Sequence, residues 1–188
     1  MKDFFTRIAK EQSLPSRAYF KLKSIQEKFR IIKKGDYVLD LGCYPGGWSL
    51  FASVVVGQNG FVVGVDLKET NLNYQNFLFV CGDILDSTTR EKISGFKFDV
   101  VLSDASPNIT GVREADIAKH RKIIDAEYGY IELLKNNGSF VSKLYEYGNF
   151  VREQKDRFEK IFKRVFLFRS YATKKRSAEI YIICIGKR

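Results

Sequence analysis

The chain has 188 residues, 45% of them hydrophobic and 29% charged. That is the length of one domain, able to bury about 70% of its unfolded surface without disulfides or a structural metal, and too apolar for disorder. Lys and Arg outnumber Asp and Glu by 32 to 22, a net charge of +10, which favours a polyanionic partner with nucleic acid first. A single His excludes a histidine-built zinc site, a two-histidine iron site and a multi-histidine phosphotransfer relay. Cys43, Cys81 and Cys184 are odd in number, far apart and set among apolar residues, so they read as reduced, strand-borne core thiols. The apolar runs fall far short of a membrane span, and the charges among Met1 to Glu11 do not fit a signal peptide, so the expected compartment is the cytoplasm.

The first predicted element is a helix after the start signal Pro15-Ser16. Ala18, Leu22, Ile25 and Phe29 form its apolar stripe, and Arg17, Lys21, Ser24 and Lys28 line a neighbouring polar face. Strands are predicted at 37–41, 61–65, 77–81, 98–102, 139–144, 165–168 and 180–185, most of them continuous apolar runs of the kind buried on both faces. Helices are predicted between them at 48–56, 115–135 and 149–163. This alternation specifies an α/β fold, a mostly parallel sheet with helices on both faces. Only residues 169–178 separate the last two strands, too few for a helical crossover, so the seventh strand is expected to run antiparallel. No repeat or linker divides the chain. Residues 1–188 read as one domain, a helical extension over 1–35 ahead of a core over 36–188.

The strongest local signal is Val38-Leu-Asp-Leu-Gly-Cys-Tyr-Pro-Gly-Gly-Trp-Ser49, a buried strand, a glycine turn and a helix start. Gly42, Gly46 and Gly47 allow the backbone to approach a ligand beyond the carboxyl end of the first strand. The spacing G-x-x-x-G-G differs from the G-x-G-x-x-G of dinucleotide binders, which counts against an NAD-type oxidoreductase. The next two strands end in Gly64-Val-Asp66 and Cys81-Gly-Asp83. Asp66 is placed to hold a ribose diol and Asp83 to accept from an adenine amino group. Adenosine with a cationic tail fits this rim better than a diphosphate, which points to S-adenosylmethionine. The fourth strand runs into Asp104-Ala-Ser-Pro-Asn108, aiming an acid into the same crevice. The fifth carries Lys143 amid apolar residues, costly unless paired or functional, and Glu179 opens the seventh. Two lysines and two acids able to converge make a neutralised cluster that tunes a lysine pKa.

Ser16-Arg-Ala-Tyr-Phe-Lys21-Leu, the Leu39-to-Ser49 turn, Ser103-Asp104-Ala-Ser-Pro-Asn108, Phe140-Val-Ser-Lys143 and Ser177-Ala-Glu179-Ile-Tyr together closely resemble the FtsJ/RrmJ family of S-adenosylmethionine-dependent RNA 2′-O-ribose methyltransferases. The resemblance runs from about Ser16 to Gly186, with the motifs in the family's order. It implies a Rossmann-like class I methyltransferase fold of seven strands, the last antiparallel. It implies a catalytic tetrad at Lys21, Asp104, Lys143 and Glu179, and cofactor contacts at Gly46, Trp48, Asp66, Asp83 and Asp104. Lys143 would be the general base, which requires burial and the nearby Lys21 cation to disfavour its charged form. Basic residues flanking these motifs, Arg17 and the run Lys174, Lys175 and Arg176, are candidate RNA contacts. Arg7 with Lys10, and Lys33 with Lys34, are further basic clusters. The short form resembles the large-subunit ribosomal RNA enzyme, acting as a monomer without a metal on ribosomal RNA in the large subunit or its precursor. The alternatives are a tRNA anticodon-loop or mRNA-cap 2′-O-methyltransferase, or a non-catalytic RNA-binding assembly factor on the same fold.

Overall fold

The computed structural model describes residues 4–108, 110–174 and 176–188. Seven strands form one sheet in the order β3-β2-β1-β4-β5-β7-β6. They are β1 (Tyr37–Leu41), β2 (Phe61–Asp66), β3 (Phe77–Cys81), β4 (Phe98–Ser103), β5 (Leu134–Tyr145), β6 (Phe162–Phe168) and β7 (Glu179–Lys187). The ladders from β3 through β5 are parallel, whereas β7 lies antiparallel between β5 and β6. The parallel strands therefore end at one common rim, and β7 begins there, with Glu179 opposite Tyr145. Six helices accompany the sheet: α1 (Phe4–Glu11), α2 (Ala18–Phe29), α3 (Gly47–Val56), α4 (Ser87–Lys92), α5 (Arg113–Tyr130) and α6 (Phe150–Glu159).

Alternation along the strands sorts side chains between two cores. Leu39, Val63, Val101, Phe140 and Ile182 pack with Ile124 of α5 and Phe158 of α6. Their neighbours Val38, Val62, Val100, Val141 and Ile183 pack on the other face with Leu22 and Ile25 of α2 and Phe51 and Ala52 of α3. Each fully buried aliphatic chain contributes about 1.5–3 kcal/mol. By the same parity Lys143 follows Val141, and Glu179 and Tyr181 precede Ile183, so all three face the side on which α2 lies. α1 joins through a small cluster of Ala9, Phe20 and Ala172, which ties α2 to the β6–β7 loop.

Several expectations need correction. The long helix stops at Tyr130, and a short 3-10 turn at Ile131–Leu133 leads straight into β5. Residues 134–135 belong to the sheet because Leu134 pairs with Phe98 and the Lys135 ammonium holds Asp99. α6 ends at Glu159, since Phe162 turns into the core beside Phe140 and Phe158 and starts β6. β3 and β6, the edge strands, are not buried on both faces. On α2, the expected polar face is inverted: Lys21 and Ser24 are buried. Cys43 lies in the turn after β1, and Cys81 is exposed, so only Cys184 is both strand-borne and buried. The sequence reading contained neither α1 nor α4; the latter is short and capped by Asp86. No helix among the described residues is long and apolar enough to cross a membrane.

Candidate active site

The four expected charges meet at the rim. The Lys21 ammonium donates to Glu179 Oε2 at 2.8 Å and lies 3.5 Å from Asp104 Oδ2. The Lys143 ammonium donates to the Asp104 carbonyl oxygen and lies 3.3 Å from Asp104 Oδ1. Asp104 thus stands between the two lysines. Burial alone would raise its carboxyl pKa, but Lys143, Lys21 and the Tyr181 hydroxyl outweigh that and hold it below the usual range. Lys143 departs from expectation. Burial disfavours its charge, yet Asp104, then Tyr145 and Glu179, raise its pKa above the ordinary lysine value. Its charged form is favoured because Asp104, Tyr145 and Glu179 together outweigh burial.

Two members of the cluster were not foreseen. The Tyr181 hydroxyl lies 2.8 Å from Asp104 Oδ1 and 3.0 Å from Glu179 Oε1, its single proton bridging two carboxylates. Thr173 Oγ1 donates to Glu179 Oε1 at 3.0 Å. Tyr181 was legible in principle. It sits two residues after Glu179, on the same face, in register with Lys143. Thr173 lies in a loop and left no periodic signal.

Beside the tetrad opens a cavity of about 570 Å³, lined by Gly42, Asp66, Asp83, Asp104, the 105–108 segment and the inner side of α5. Its size lies within the range of small-molecule sites. Asp66 accepts from the Tyr44 N–H through Oδ2 and the Lys68 N–H through Oδ1, and each oxygen keeps a further lone pair for a ligand. Asp83 accepts from the Leu85 N–H and lines the cavity next to Ile84 and Leu85. The glycines serve the protein's own packing first. Gly42 has a φ of +71°, and a Cβ there would lie 2.9 Å from Ala105 Cβ. A Cβ on Gly46 would meet Leu72, and one on Gly47 would meet Ser16 Oγ at 2.5 Å. Trp48 is buried away from the cavity, its indole N–H donating to the Ala18 carbonyl and its ring packed on Tyr181. It packs beneath Tyr181 and, with Ser16 and Gly47, lines a small adjoining recess that shares Gly42, Tyr44 and Asp104 with the cavity.

The family model described as FtsJ-like methyltransferase matches residues 14–187. The chain belongs to this family. A relative from Methanocaldococcus jannaschii, named ribosomal RNA large subunit methyltransferase E, is 39% identical over 97% of this chain and 77% of its own length. One of the same name from Bdellovibrio bacteriovorus is 35% identical over 100% of this chain and 97% of its own. A Plasmodium falciparum crystal structure described as a ribosomal RNA methyltransferase has a TM-score of 0.78 at 25% identity, covering 92% of this chain and 98% of that one. The fold is the Rossmann-like one of methyltransferases, and the activity is methyl transfer.

Other buried polar groups of this FtsJ-like methyltransferase brace the rim. Glu127 accepts from Ser103 and Ser142, and burial raises its carboxyl pKa to about 7 against those two hydrogen bonds. Asp40 accepts from Ser49 under the glycine turn; burial, with the Asp104 and Asp66 charges, raises it to about 7. His120 contacts the Lys143 carbonyl through Nε2, and burial lowers its pKa to about 4. Of the expected RNA contacts, Lys174 and Arg176 are exposed on the β6–β7 loop that also carries Thr173, while Lys175 lies outside the described residues. Arg17 is half-buried one turn before Lys21. Lys33 and Lys34 sit before β1, at the sheet end opposite the tetrad, and do not flank it.

Proposed function

We propose that this FtsJ-like methyltransferase moves a methyl group from S-adenosylmethionine to a ribose 2′-hydroxyl of large-subunit ribosomal RNA. The observation that carries this reading is that Asp104 belongs both to the cavity wall and to the tetrad. Whatever fills the cavity therefore ends beside Lys143. The names of the Methanocaldococcus jannaschii and Bdellovibrio bacteriovorus relatives support ribosomal RNA as the acceptor over the tRNA and cap alternatives. Three cavity carboxylates, Asp66, Asp83 and Asp104, suit a ligand with hydroxyls, an amino group and a positive centre, and disfavour a diphosphate.

S-adenosylmethionine would supply an electrophilic methyl on a sulfonium. Asp66 would hold its ribose diol, Asp83 its adenine side, and the Gly42 turn its tail. The chain's own residues would do the rest. Lys143 first orients the acceptor hydroxyl by donating to its oxygen. Asp104 and Glu179 keep Lys143 charged until a bound cation beside Asp104 competes for that carboxylate and lowers the lysine pKa. Lys143, having released one proton to the surrounding water, then takes the hydroxyl proton as general base, and the 2′-oxygen would bond the methyl as the methyl–sulfur bond breaks. Lys21 pins Glu179 and Asp104 so that the amine keeps its direction, and in-line placement supplies much of the acceleration. No step uses a metal. The reading places a monomer in the cytoplasm, acting on ribosomal RNA within the large subunit or its precursor.

The test is incubation with methyl-labelled S-adenosylmethionine and separate pools of ribosomal RNA, tRNA and capped mRNA, followed by mapping of the label. Label on a ribose of large-subunit RNA is the expected outcome. Label on a base, or in the tRNA or mRNA pool alone, refutes the assignment.

A further inference from the structure

The wall of the cavity is acidic on its inner side and basic on its outer side. Lys119 and Lys122 of α5 line the cavity opposite Asp66 and Asp83, and both are exposed. They are three residues apart, so their side chains project from one face of the helix. Neither has an ion pair among the described residues. Lys119 reaches only the Asn108 carbonyl, at 3.4 Å. Three of the four acids of α5 have hydrogen-bond or ion-pair partners other than these lysines. Asp116 is occupied by Thr110 and Gly111, Asp125 by Arg157, and Glu127 by two serines. Arg121, between the two lysines in sequence, is neutralised by Glu153.

Two exposed cations outside any salt bridge among the described residues, with only the Asp116 carboxylate near enough to Lys119 to feel its charge, have the wrong sign for the positive centre of the cofactor. They have the right sign for the acceptor strand. The other side of the reaction centre carries Lys174 and Arg176, on the loop that reaches Glu179 through Thr173. We propose that Lys119 and Lys122 form a second phosphate-binding lip, so that the RNA strand crosses the reaction centre between α5 and the β6–β7 loop. This rests on the RNA reading above and adds a polarity to it: phosphates on both sides of the target ribose are held, one side by each lip. A strand gripped on one side pivots; a strand gripped on both presents its 2′-oxygen in one place, which is what in-line transfer requires.

The experiment compares wild type with K119E/K122E, using a large-subunit ribosomal RNA transcript titrated at several salt concentrations. In parallel, S-adenosylmethionine affinity is measured by calorimetry and unfolding by urea. Loss of two phosphate contacts should flatten the slope of log affinity against log salt by about 1.4–1.8 and weaken binding at least tenfold at low salt. Cofactor affinity should not fall, since two acids at the mouth oppose a positive centre less than two lysines do, and the unfolding midpoint should stay within a few tenths of a molar of wild type. The charge-neutral K119Q/K122Q should give an intermediate slope. An unchanged slope in a protein whose wild-type binding is salt-dependent overturns the lip and leaves the RNA reading intact. Weakened cofactor binding with an unchanged slope also overturns it, assigning the lysines to the carboxylate of the cofactor's tail. Wild-type binding without salt dependence removes both readings.

Discussion

The ion pair between Lys21 and Glu179 joins residues 158 positions apart, and both side chains are nearly dry, 7% and 9% exposed. A surface pair would contribute at most about 1 kcal/mol, but this one is desolvated, so the penalty for breaking it dominates. Lys21→Met removes the cation and leaves the Glu179 carboxylate with only Thr173 and Tyr181 as partners. The expected loss is about 3–5 kcal/mol, the usual cost of an uncompensated buried charge. In a chain this long each kcal/mol moves the thermal midpoint by roughly 2–4 °C, so the shift is on the order of 10 °C. Glu179→Gln should cost less, because Lys21 keeps Asp104 at 3.5 Å. The double variant Lys21→Met with Glu179→Leu removes both charges and should cost no more than Lys21→Met alone, a coupling of at least about 1 kcal/mol. Urea unfolding followed by circular dichroism measures all three. Double-variant losses equal to the sum of the singles, or a Lys21→Met loss under about 1 kcal/mol, would refute the claim that this pair is dry.

Other outcomes follow from the same geometry. Lys143→Ala should reduce single-turnover methyl transfer by at least about 10²-fold with cofactor affinity intact, and Lys143→Arg should fail almost as badly because a guanidinium keeps its proton; an active Arg variant would reduce Lys143 to a charge partner of Asp104. Asp66→Ala should weaken S-adenosylmethionine binding by about 1.5–3 kcal/mol in calorimetry, and an unchanged affinity would leave Asp66 only its role as acceptor for the Tyr44 and Lys68 N–H groups. Charge reversal at Lys174 and Arg176 should flatten the salt dependence of RNA binding, measured by filter retention; an unaltered slope would remove that loop from the interface. Glu127 keeps its proton up to about pH 7 in the folded chain but only to its ordinary 4.5 when unfolded, so its contribution to stability falls as pH rises between those values. Glu127→Gln should therefore reduce the loss of urea stability between pH 5 and pH 8, leaving the share that Asp40, raised in the same direction, contributes; an identical pH profile would show that Glu127 ionises freely.

Much of this was legible before any coordinates. Continuous apolar runs marked all seven strands, and the short 169–178 connection required the reversal of β7. Lys143 and Glu179 were conspicuous as charges in apolar strands and Asp104 as an acid at a strand end, whereas the grouping with Lys21 came from the family resemblance. What failed did so for physical reasons. Helical spacing of apolar residues extends past Tyr130, but Lys135 is drawn into the sheet by Asp99, a partner 36 residues earlier that no local window contains. The polar face of α2 is divided, with Lys21 and Ser24 buried and Lys28 exposed, which local spacing does not reveal. The partners of the buried pair, Glu179 and Ser170, come from the far end of the chain. Trp48 is buried under α2 and also lines a small recess with Gly42, Tyr44 and Asp104, a placement that its position in the glycine turn alone does not reveal. The Lys143 pKa was expected to fall and instead rises. Asp104, Tyr145 and Glu179 outweigh the burial of the amine, and that balance depends on distances.

The position of β7 divides the site along the chain. Every residue lining the large cavity lies between Gly42 and Ile123, so that chamber is complete without β5. The tetrad is not. β7 follows both strands it separates, and unless it lies between them β5 and β6 share no ladder, Glu179 has no lysine, and Tyr181 does not bridge the acids. The chamber and the charged cluster are thus built by different stretches of the chain that meet at Asp104, so a change confined to β7 can dismantle the cluster while the residues of the cavity wall stay as they are.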